Sequence, residues 1–175
     1  MFESALLVEV PEAEEAVGRW RSLLDPVSVM GIPAHITILY PFLNHVTEHT
    51  LRAVREVAST VPSFSFTLDS VAKWPGVVYL APTPTDSFRE LTKRVMKHWS
   101  GLRPYEGKFN DIVPHLTVAE NVDDEHLAAT ITDDVLTHLP IAARAEEIAL
   151  WVTDGASWTA HTSFPLGSGG TPTEA

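Results

Sequence analysis

Two short segments each place a histidine and a threonine two residues apart in an alternating apolar stretch. They are Pro33-Ala34-His35-Ile36-Thr37-Ile38 and Pro114-His115-Leu116-Thr117-Val118. In a β-strand, residues i and i+2 point to the same face. His35 then shares a face with Thr37, and His115 with Thr117. A fold that brings the two strands together gives one pocket two imidazoles and two hydroxyls. Imidazole can take or give a proton near neutral pH, and a hydroxyl can donate to a phosphoryl oxygen. The set suits acid–base chemistry on a phosphate ester and requires no metal.

The pattern His-x-Thr also occurs at His45-Val46-Thr47, and nearly so at His161-Thr162-Ser163. Thr47 precedes an acidic helix start and is better explained as its N-cap. His161 lies in a strand-like stretch with polar flanks, which suggests an edge or a solvent face. His35 and His115 share more. Each follows a proline within two residues, and each occupies the same slot in a repeated order of elements. The bland alternative is two core histidines donating to backbone carbonyls, a reading that fits one such residue better than a matched pair. His45 and His49 sit four apart, but no H-E-x-x-H pattern or third ligand accompanies them, so no metal site is expected. No Gly-rich phosphate loop and no G-x-S-x-G elbow is present.

The elements that must position these residues read as follows. Residues 5–10 form a buried strand, and residues 11–24 a helix with Val17, Trp20, Leu23 and Leu24 inward. The first histidine strand covers residues 35–42. Thr47 caps a helix to Ser59, and Phe64, Phe66, Leu68 and Val71 mark a strand that ends at the turn Trp74-Pro75-Gly76. The order then restarts. Residues 77–81 form a strand, Asp86 caps a helix to Trp99, and a Gly/Pro/aromatic loop leads to the second histidine strand at 115–119. Asp123 caps a helix reaching Leu139. One long strand spans 141–152 and another 158–166, and residues 167–175 read as a disordered tail. Strand–helix–histidine strand–helix–strand thus occurs twice, a repeat of architecture rather than of sequence. The expected fold is α+β. Two units, about 4–74 and 77–166, pack with pseudo-twofold symmetry in a single domain of residues 1–166. Their terminal strands are free to exchange, and both histidine strands meet in a central cleft.

Bulk properties narrow the function. The chain has 175 residues, 45% of them apolar, enough for one folded core. It lacks cysteine, which excludes disulfides, thiolate metal sites and cysteine nucleophiles and is compatible with a cytoplasmic location. The start of the chain does not read as a signal peptide, and no apolar run approaches the roughly 20 residues of a membrane span. Acids outnumber bases, 23 to 12, for a net charge of −11. That balance argues against gripping long DNA or RNA by its phosphates, but leaves a nucleotide or an RNA end open.

The paired motifs in this architecture resemble the 2H phosphoesterase superfamily. Within it, the similarity is greatest to the bacterial 2′-5′ RNA ligase type, also called RNA 2′,3′-cyclic phosphodiesterase. His35-Ile36-Thr37-Ile38 matches the first motif and His115-Leu116-Thr117-Val118 the second. Tyr40-Pro41-Phe42, Val113-Pro114 and Gly76-Val77-Val78-Tyr79-Leu80 fit the flanks and the central strand. The resemblance covers about residues 4–166. It implies a bilobal fold with His35 and His115 as the acid–base pair and Thr37 and Thr117 as phosphate donors. No cofactor is implied.

The expected activity is metal-independent hydrolysis of a 2′,3′-cyclic phosphate or a 2′-5′ phosphodiester, reversible as ligation. The expected partner is a nucleotide or RNA terminus, not DNA or a membrane, and the expected state is a monomer. Tyr79, Trp74 and Phe109 are candidates for stacking on a base, and Lys73, Arg103 and Lys108 for local positive charge. Two other readings stay open: a nucleotide-binding domain without turnover, and a phosphoesterase for a non-RNA substrate such as ADP-ribose cyclic phosphate.

Overall fold

The computed structural model describes residues 3–107 and 111–168. The order is β1 (Glu3–Glu9), α1 (Glu14–Leu24), α2 (Pro26–Val29), β2 (His35–Leu39), α3 (Glu48–Ser59), β3 (Phe64–Trp74), β4 (Gly76–Thr83), α4 (Asp86–His98), β5 (Leu116–Val122), α5 (Glu125–Leu136), β6 (Ile141–Ala145), β7 (Glu147–Thr153) and β8 (Trp158–Pro165). The strands form two antiparallel sheets, ordered β2-β1-β7-β8 and β5-β4-β3-β6. This is the expected α+β architecture with two lobes. Each sheet has a histidine strand at one edge, beside the strand that precedes it in the repeat.

The sheets are not built from contiguous halves of the chain. β3 pairs with β4 and β6 in the second sheet, and β7 pairs with β1 in the first. The lobes therefore exchange their terminal strands. The stretch 141–152, expected as one strand, is two. β6 pairs with β3, and β7 with β1, so the chain crosses between sheets at the exposed Glu146. β6 buries alternate residues and β7 the continuous run 148–151, but apolar residues continue through both, so hydrophobicity alone does not mark the crossing.

The main core lies between the helices and one face of each sheet. It takes Leu6 and Val8 from β1, Ile36 and Ile38 from β2, and Leu116 and Val118 from β5. Burying each such side chain contributes about 1.5–3 kcal/mol, and a one-residue slip would forfeit several of these contributions. Ala5 and Leu7, on the other face of β1, join a smaller cluster with Ile32, Ala149, Trp151 and Trp158.

Three further details differ from expectation. On α1, Leu23 is 65% exposed and Arg21 is fully buried in its place. Asp124, not Asp123, caps α5, accepting from the amides of His126 and Leu127. Gly167, expected in the tail, is held by the chain: its amide donates to the Val61 carbonyl (2.8 Å) and its carbonyl accepts from the Ser63 amide (2.9 Å).

Candidate active site

Alternation along β2 and β5 sends Ile36 and Leu116 into the core, which turns His35, Thr37, His115 and Thr117 the other way. Both strands then break register at the same point. In β2, Thr37 pairs with Leu7 and Leu39 with Leu6, leaving Ile38 extra. In β5, Thr117 pairs with Tyr79 and Ala119 with Val78, leaving Val118 extra. These are β-bulges directly after each motif threonine, and a bulge re-aims the residues beyond it. Leu39 and Ala119 turn into the core, while Tyr40 and Glu120 come to the same cavity as the motif residues. Strict alternation would have put Ala119 there, so Glu120 was missed from the sequence.

The two histidines are held alike. His35 Nδ1 lies 2.8 Å from the Pro33 carbonyl oxygen, and His115 Nδ1 lies 2.7 Å from that of Val113. A carbonyl only accepts, so each ring donates from Nδ1, and in the neutral form Nε2 is the acceptor. The bonds to backbone carbonyls and the shared cavity coexist; neither excludes the other. Burial lowers the His35 pKa to about 3, helped by the Arg21 guanidinium and by His115, against the Pro33 bond, which favours the charged ring. Burial also lowers His115, opposed by its bond to Val113.

Two cross-lobe bonds tie down the edge strands. Arg21 on α1 donates from Nη1 to the Thr117 carbonyl (3.0 Å) and from Nη2 to the carbonyls of Ile32 (3.0 Å) and Pro33 (3.2 Å). Its charge is paired with buried Asp25 at 2.8 Å. Thus one guanidinium touches the backbone of both motifs, including the carbonyl that holds His35. Thr92 on α4 does the corresponding job for β2, donating to the Ile38 carbonyl at 3.1 Å. Carbonyls on sheet edges lack a strand partner, and these donors supply one.

The four motif side chains line one cavity of about 580 Å³ together with Glu3, Met30, Tyr40, Glu120 and Trp158. Tyr40 donates its hydroxyl to Glu3 (2.7 Å) and meets the Trp158 ring edge-on at 6.0 Å. Burial and nearby Asp25 raise the Glu120 pKa, opposed by Arg21. A second cavity of similar size shares Thr37 and His115 with the first and is also lined by Trp74, Lys93 and Arg103.

Trp74 reaches this second cavity because the hairpin turns on Pro75 and Gly76, whose φ of 75° suits glycine. Its ring meets His115 edge-on at 4.7 Å. Tyr79 is placed differently from expectation. It is buried, lines neither cavity, and packs on Trp74 (4.2 Å) and His115 (5.6 Å). It backs the site rather than presenting a face to a base. Phe109 and Lys108 lie outside the described residues. Lys73 is exposed and lines neither cavity, and Arg103 lines the second.

His45, His49 and His161 are exposed and away from both cavities. Thr47 is the N-cap of α3, accepting from the Thr50 amide. Among the described residues no three His, Asp or Glu side chains gather as a metal site, and no helix is long and apolar enough to cross a membrane.

Paired, identically held imidazoles flanked by hydroxyls on two sheet edges define a class of protein. The chain belongs to the 2′-5′ RNA ligase superfamily, whose family model matches residues 9–157. It is thereby a 2H phosphoesterase, a membership that supports phosphodiesterase-type activity. The fold is similar to that of Escherichia coli LigT. The LigT complex with 3′-AMP has 19% identity and a TM-score of 0.64, over 94% of this chain and 97% of that one. The complex with NADP+ has 21% identity and a TM-score of 0.60, over 95% and 98%. A Thermus thermophilus protein has 14% identity and a TM-score of 0.57, again over 95% and 98%. No curated protein matches the sequence.

Proposed function

We propose that this chain hydrolyses a 2′,3′-cyclic phosphate or a 2′-5′ phosphodiester of RNA or a nucleotide, using its own side chains for both proton transfers. The reading rests on one observation: His35, Thr37, His115 and Thr117 line a single cavity. The ligands of Escherichia coli LigT, which include 3′-AMP, NADP+, ATP and phosphate, support a nucleotide substrate.

His35, strongly biased to its neutral form, takes a proton from water at Nε2 as the water oxygen attacks phosphorus. His115, protonated once the phosphate anion is bound, gives its proton to the departing sugar oxygen. Water adds across the P–O bond, and the two rings end with exchanged protonation. Thr37 and Thr117 donate to the non-bridging oxygens, where transition-state charge collects. With a 5′-hydroxyl in place of water, the same transfers join a cyclic phosphate to a second nucleotide.

EDTA-treated protein is therefore expected to open 2′,3′-cyclic AMP, or to cleave a short RNA ending in that group or a 2′-5′ linkage. Thr37→Ala and Thr117→Ala should each slow the reaction about 10²-fold. A folded protein that turns over none of the three substrates refutes the proposal.

A further inference from the structure

The site comprises two cavities that meet at Thr37 and His115, and their linings carry opposite charge. The first has Glu3 and Glu120 and, among its described lining residues, no lysine or arginine. Apart from the motif side chains and Thr153, its other described lining residues are mainly apolar and aromatic, with Met30, Tyr40 and Trp158. The second has Lys93 and Arg103 beside Trp74. The one carboxylate among its described lining residues, Asp111, lies 3.3 Å from Arg89. Each is about the volume of a nucleoside-sized ligand site.

A phosphate bonded to both motifs sits at the seam, so the groups esterified on either side of phosphorus extend into different surroundings. Resting on the proposed phosphodiesterase reading, we propose that the preferred substrate is a diester with a group on each side. One arm carries further negative charge and lies along Lys93, Arg103 and Trp74. The other is an uncharged nucleoside and lies against Glu3, Tyr40 and Trp158. A cyclic mononucleotide fills only one side. The protein as a whole is acidic, with a net charge of −11, so its overall field repels anions. A local pair of cations at one end is what distinguishes one orientation of a substrate from the other.

The test uses four probes: 2′,3′-cyclic AMP, the 2′-5′-linked diadenosine monophosphate, and the same dinucleotide with one added phosphate at its 5′ end or at its 3′ end. Both kcat/KM for hydrolysis and Kd by calorimetry are measured. One added phosphate should improve kcat/KM and Kd about 5- to 10-fold over the plain dinucleotide, and the other should worsen both. Lys93→Gln with Arg103→Gln should erase the gain, bringing the ratio of the favoured phosphorylated probe to the plain dinucleotide down to about one. Glu3→Gln should relieve the penalty. The gain should shrink as salt is raised.

Equal effects of the two added phosphates would overturn the inference, as would a gain that survives loss of both cations. Turnover without this ordering refutes the two-arm inference alone. The same ordering of Kd values without turnover of any probe supports the two arms and refutes the phosphodiesterase reading.

Discussion

Arg21 is the residue on which both motifs most depend without its touching the reacting atoms. Replacing it by methionine removes the ion pair with Asp25 and the bonds to the carbonyls of Thr117, Ile32 and Pro33. Asp25 is 1% exposed, so its charge would be left buried and unpaired. Breaking one side of a buried pair costs about 3–5 kcal/mol, and the orphaned carbonyls add to this. For a domain of this size that is a fall in Tm of about 6–20 °C. Removing both charges, as in Arg21→Met with Asp25→Leu, should recover much of the loss, because the cost lies in the unpaired charge.

A second signature separates Arg21 from ordinary structural residues. Its cation disfavours the His35 imidazolium. Without it His35 accepts a proton at higher pH, so the acidic limb of the kcat/KM profile moves toward neutrality. The assay is urea unfolding of both variants together with their pH–rate profiles. An Arg21→Met protein within about 1 kcal/mol of wild type, with its acidic limb unmoved, would refute the reasoning.

Acid should destabilise the fold through His35, whose folded pKa of about 3 lies below the ordinary 6.5. Between these values the unfolded chain binds more protons, so stability falls as pH drops from 6.5 toward 3, by at most about 5 kcal/mol. Urea unfolding at stepped pH checks this, and His35→Asn should flatten the slope. Trp74→Ala should raise KM for a nucleotide about tenfold through lost stacking, whereas Tyr79→Phe, behind it, should leave KM unchanged. Gly167→Ala should cost about 1–3 kcal/mol in chemical denaturation, since its Cβ would come 2.5 Å from the Ser59 carbonyl oxygen.

Much of the site was legible because alternation is a local property. His-x-Thr in an apolar strand has a definite facing, and the proline-flanked pair at matching slots separated His35 and His115 from His45 and His161. The bulges at Ile38 and Val118 were not legible, since an extra residue in a strand leaves the apolar pattern nearly intact. Tyr40 and Glu120 therefore went unassigned to the cleft. The crossing at Glu146 was hidden for a similar reason: two apolar strands in succession read as one. Arg21 was legible in principle. It stands four residues after Val17 and four before Asp25, on the helix face that the core covers. Leu23 drew the inward face instead, because hydrophobic spacing gives no weight to a buried ion pair.

The central claim is that two imidazoles act in one chemical step. It is tested most directly by metal-free hydrolysis of one substrate by wild type, His35→Ala, His115→Ala and the double variant, with folding checked by circular dichroism. General acid and base each contribute about 10²–10⁴-fold. The account predicts that each single variant loses at least that much. The double variant should be little slower than the worse single one, because the two groups act as a unit. Full turnover by either single variant, or losses that simply multiply in the double, would contradict it.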